Sequence, residues 1–257
     1  MFTCRTASAI RTAVLITCVS LTGVLLVSSC RPSPRVPRAI ASSTIAGGTT
    51  SNQPPARSSG GTPAESGIYG DPTAAAKYWQ AQSLEDNCGL MSVADVVGEV
   101  TGRAPPTEQQ MITLGESTPS QTNPGPIYAP RGDPSHTNGD GGIEMADAVV
   151  LLDHFGIKSE MTYAAHPDQT GLPALKRYLA DERRIIAWVN SAVIWNTSDQ
   201  RTKADHFLVV TGIDTDKEIV HLNDPGADHP DEQVSISTFI TGWQTGKESI
   251  VVTATPG

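Results

Sequence analysis

Once the first thirty residues are set aside, Cys88 is the sole cysteine, in the stretch "QSLEDNCGLMSVADVV" at 82–97. A thiol acts as a nucleophile only when a base takes its proton, so Cys88 matters if a positioned histidine can reach it. In "ADHFLVVTGIDTDKEIVHLNDPG", two apolar β-branched runs flank "DTDK", the pattern of a hairpin. Folded about residue 215, the hairpin brings His206, at the start of the first strand, opposite Asp224, just past the end of the second. Asp224 then orients the imidazole and stabilises its cation, and a one-residue slip puts Asn223 in that place. Six residues before Cys88 is Gln82, whose amide can donate to an oxyanion together with the Cys88 backbone N–H. Gln80 competes for that role.

The elements that must carry these groups follow from periodicity. Leu90, Val93, Ala94, Val97 and Val100 recur at helical spacing, and Gly102, Pro105 and Pro106 stop the pattern. With Asp86 or Asn87 as N-cap, Cys88 falls in the first turn, where the helix dipole favours a thiolate. An inert cysteine belongs on the apolar stripe, and Cys88 precedes it. "GGIEMADAVVLLDHFG" and "GLPALKRYLADER" read as helices, "RIIAWVNSAVI" as a buried strand and "ESIVVTAT" as a closing strand. "FITGW" buries Phe239 and Trp243. Helices first and strands later is an α+β order.

The remaining histidines carry weaker signals. His154 ends a helix pattern and suits a dipole partner. His136, His166 and His229 lie in polar loops, and His221 stands on a strand among hydrophobic neighbours. "DPSHTNGDGGIE", Asp133 to Glu144, imitates a calcium loop, but Asn138 occupies the place that needs glycine and Asp140 the place that is usually apolar. The segment reads as a Gly-rich loop at the cleft rim, and no metal or cofactor is expected.

At the N-terminus, Arg5 and Arg11 precede an apolar run from Ala13 to Val27, then "VSSC" ends at Cys30. This is the form of an export signal over 1–29. The four residues ending at Cys30 resemble the lipobox of bacterial lipoproteins, which implies lipidation of Cys30; an uncleaved membrane anchor is the alternative, short for a span. Residues 30–68 are rich in Pro, Gly, Ser and Thr and read as a flexible tether. Residues 69–257 suit one domain and hold 12 Lys and Arg against 26 Asp and Glu, a net of −14. Such a surface disfavours nucleic acid and anionic lipid headgroups. The domain is expected outside the cytoplasm, tethered to the membrane by lipid.

Gln82, "NCG" at 87–89, "DHFLVVTGID" at 205–214 and "NDPG" at 223–226 together resemble a papain-like cysteine peptidase, of the branch similar to double-glycine (bacteriocin-processing) peptidases. The resemblance spans residues 76–254. It implies a helical half bearing the cysteine packed on a small antiparallel sheet bearing His and Asp, with the active site between them. Carried over residue by residue, it implies Cys88 as nucleophile, His206 as base, Asp224 as orienting acid and Gln82 as oxyanion donor. Leu90 and Met91 depart from the family's small residues after Cys-Gly and are expected to alter the floor near the nucleophile. An exported domain without a transporter does not inherit cleavage after a double glycine.

The leading reading is a thiol hydrolase cutting peptide or isopeptide amides through an acyl-enzyme, with acyl transfer by the same groups as a variant. The other class is an idle surface binding protein, its cleft plugged by the 120–142 insertion. Retention of all four groups argues against it.

Overall fold

The computed structural model describes residues 67–133, 141–199 and 201–254. The stretch expected to be an export signal, Cys30, the stretch expected to be a tether as far as residue 66, and His136 lie outside the described residues. So does most of the loop weighed as a calcium site.

In chain order, a short strand β1 (Ile68–Gly70) and a helical turn α1 (Pro72–Ala75) precede the helical half. That half comprises α2 (Cys88–Thr101), α3 (Glu108–Ser117) and α4 (Met145–His154). Then follow β2 (Ser159–Thr162), α5 (Gly171–Ala180), β3 (Ile185–Val189) and α6 (Ser191–Ile194). The chain closes with β4 (His206–Asp214), β5 (Ile219–Asn223), β6 (Glu232–Ser235), α7 (Ile236–Gln244) and β7 (Ile250–Thr253). The strands form one antiparallel sheet in the order β2-β7-β3-β4-β5-β6, with β1 added to the far end of β4. The sheet begins at Ile68, one residue inside the stretch read as tether.

Every residue of β4 is buried, because the sheet is covered on both faces. Phe207 and Val209 join Ile186 and Val251 under α2 and α4, while Leu208 and Val210 join Leu222, Phe239 and Trp243 on the side of α5 and α7. This is the α+β layout expected from sequence, a helical half bearing Cys88 packed on an antiparallel sheet bearing His206. Phe239 and Trp243 are buried as expected, on a helix.

Helix α2 is buried from Cys88 to Gly98 and ends at Gly102 in the left-handed conformation. Val100, expected on the buried stripe, is 47% exposed because the last turn emerges from the core. The run read as one strand at 184–194 breaks after Val189. There Asn190 accepts from the N–H groups of Ala192 and Val193 and caps α6 instead. The β4–β5 hairpin forms, but its turn takes in Glu218 at φ 58°, and the ladder is irregular between Val210 and Gly212. Asn223 therefore lies opposite Val209, where a fold about residue 215 puts it opposite Phe207. The 120–142 insertion buries Ile127 and Tyr128 in the helical core, and Ser120 and Gln121 bind the buried Asp147 carboxylate.

Candidate active site

Helix α2 packs across β4 and brings its N-terminal Cys88 to His206, the first residue of that strand. Glycine must follow the cysteine for this approach: a Cβ at Gly89 would stand 2.5 Å from Ile143 Cγ1 and 3.2 Å from Phe207 Cδ2. The loop before α2 is held from both sides. Glu108 accepts from the Ser83 N–H at 2.6 Å, the Ser83 hydroxyl at 2.5 Å and the Asn87 amide at 2.6 Å. Asp86 accepts from the Tyr128 hydroxyl at 3.1 Å and the Arg131 N–H at 2.8 Å. Asn87 is the N-cap by position, but its side chain serves Glu108 and makes no cap hydrogen bond.

His206 Nε2 lies 2.6 Å from Asp224 Oδ1, which leaves Nδ1 for the side of Cys88, close enough for its charge to act on the imidazole. Burial alone would push the imidazole down. The negative charge of Cys88 and the Asp224 hydrogen bond outweigh it and push His206 up to about 10. Asp224 has no exposed surface and accepts three hydrogen bonds: from His206, from Trp195 Nε1 at 2.9 Å and from the Gly226 N–H at 2.6 Å. Against the cost of burial, these and the imidazolium charge hold its carboxyl below the usual value. Asn223 points elsewhere, donating to Ala75 O and to Asp95 Oδ2, so it is not the partner of His206.

Trp195 escaped the sequence reading. Its ring lies 5.0 Å from that of His206 while its N–H binds Asp224, so one indole shields and orients the pair. The glycine of "NDPG" makes room for it, since a Cβ at Gly226 would stand 2.6 Å from Trp195 Cζ2. A tryptophan just before a polar loop was the available signal.

Gln82 lines the cleft beside Cys88, and its amide nitrogen donates to Leu84 O at 2.7 Å. An amide carries two N–H groups, so this bond orients it and leaves one donor. Gln80 donates to Pro106 O and does not line the cleft. Leu90 and Met91 are fully buried and absent from the cleft wall; they fill the helical core and do not shape the floor.

The cleft has a volume of about 1370 Å³. Leu84, Met161 and Trp195 contribute apolar surface to it, and Arg131, Gly141 and Gly142 bring the insertion to its rim. Lys203 and Lys247 also line it and form no ion pair among the described residues. Of the other histidines, His154 and His166 meet Phe155 and Tyr163 edge-to-face, His229 bonds Pro230 O, and His221 bonds Asp231 and does not line the cleft.

A family model described as Peptidase C39-like matches residues 144–250, which include His206 and Asp224. Uncharacterised proteins of Mycobacterium bovis and Mycobacterium tuberculosis are each 40% identical over 226 residues, covering 84% of this chain and 93% of theirs. Among solved structures, a C39-like peptidase from Bacillus anthracis aligns at 15% identity and TM-score 0.48, over 75% of this chain and all of that one. The peptidase domain of Streptococcus ComA, a bifunctional ABC transporter, aligns at 14% identity and TM-score 0.43, over 70% and 99%.

Proposed function

Because the chain belongs to the Peptidase C39-like family, we propose that it is a thiol hydrolase that cleaves peptide or isopeptide amides. The reading is carried by one observation: His206 is held between the Cys88 thiol and a fully buried Asp224 carboxylate.

In this reading the Cys88 thiolate, paired with the protonated His206, attacks the amide carbonyl carbon. The oxyanion is met by the Cys88 N–H, one of the unpaired donors of a helix start, and by the free N–H of Gln82. As the tetrahedral intermediate collapses, the His206 Nδ1–H protonates the departing amine and a thioester remains on Cys88. Water then attacks, its proton taken by His206, and the carboxylic acid leaves with the thiolate–imidazolium pair restored. An amine in place of water turns the same cycle into acyl transfer. Leu84, Met161 and Trp195 favour an apolar residue next to the scissile bond.

A peptide library profiled with the wild type and with Cys88→Ala tests this. New N-termini made only by the wild type support it, and identical profiles overturn it. Products joined to a supplied amine identify transfer. We also propose that lipid on Cys30 tethers the domain outside the cytoplasm, supported by the signal pattern ending in "VSSC". Metabolic labelling with a fatty acid, lost in Cys30→Ser, is the expected result.

A further inference from the structure

Glu232 opens β6 opposite Leu222. Residues two apart on a strand share a face, so Glu232 and Asp224 lie on one side of the sheet as diagonal neighbours. Glu232 Oε2 is buried and meets no donor among the described residues. An unpaired buried acceptor is costly, and two ionised carboxylates side by side in a poorly solvated site repel. A proton kept on Glu232 and donated to Asp224 relieves both.

We propose that Glu232 is a positioning residue for the His206–Asp224 pair: protonated, it donates to Asp224; ionised, it adds a second negative charge that tightens the hold of His206 on its proton. The charged groups around it are Asp224 after β5, His206 on β4 and His229 in the loop before β6. Asp231, its chain neighbour, is engaged by His221 and Gln233. Burial first, then the Asp224 carboxylate, push the Glu232 carboxyl up to about 7, against the pull of the two histidines. The exchange between its two states thus falls across neutral pH.

Its bearing on turnover rests on the thiol hydrolase reading, whereas the protonation itself does not. The test therefore reads the imidazole directly, by nitrogen-15 NMR of the histidine rings in the full-length chain from about pH 5 to about pH 11. His206→Gln assigns the resonance. In the wild type, the His206 signal should step near neutral pH, before its own titration. Glu232→Gln keeps a donor without the charge, so the step should vanish and the His206 titration move down by about one pH unit. Glu232→Ala should also lose the step. A neutral step that persists in both variants, or a His206 titration unmoved by either, overturns the proposal. Absence of peptide cleavage at every pH with the step intact counts against the hydrolase reading alone.

Discussion

Asp224 meets His206 diagonally across the β4–β5 ladder, with 2.6 Å between Oδ1 and Nε2. Asn223 pairs with Val209, so a straight register sets Asp224 level with Leu208, two residues beyond His206. Strand side chains repeat every two residues, and a displacement of two leaves both groups on one face within reach.

Asp224→Asn should lower kcat by about 100-fold or more, because the amide neither stabilises the imidazolium nor fixes the ring equally well. Asn223→Ala should leave Cys88 alkylation near the wild-type rate yet cost about 1–3 kcal/mol in urea unfolding, since it strips a donor from buried Asp95. If Asn223→Ala has the larger effect on kcat, the partner of His206 is misassigned.

Gln82→Ala should reduce kcat by about 100-fold with KM little changed, as expected of a donor that acts on the oxyanion. Gln80→Ala should leave kcat within about threefold, since its amide serves Pro106 O. Equal losses in the two variants argue that neither amide stabilises the intermediate.

Gly226→Ala should impair the site through Trp195, because the new methyl lies 2.6 Å from the indole. A shift in tryptophan fluorescence with a fall in kcat of about tenfold or more is expected. An unchanged rate with a displaced indole would show that Trp195 does not support the pair.

The pH dependence follows from His206, held at about 10 against an ordinary value of 6.5. A raised folded value means that the folded state keeps a proton the unfolded state has lost between these limits. The stabilisation is fully present below about 6.5 and is lost as pH rises through about 10. Urea midpoints should therefore fall across that window in the wild type and fall less in His206→Gln. A wild-type midpoint that rises over the same range contradicts the assignment.

The sequence by itself determined the cysteine helix, the histidine strand and the carboxylate after the next strand. Each rests on local chemistry: helical spacing stopped by Gly102, and apolar runs separated by turn residues. Only the tertiary structure decided the register. The irregular ladder between Val210 and Gly212 and the turn at Glu218 depend on packing across the sheet, which periodicity does not encode. The same is true of Trp195, whose indole reaches Asp224 from 29 residues away, and of Glu232, brought to the site by β6. It was also the fold that turned Leu90 and Met91 into the core, because the face a helix buries is set by what packs against it. Short elements such as β1 and β2 left no readable pattern, since three or four residues gain their order from pairing with a neighbour rather than from their own preference.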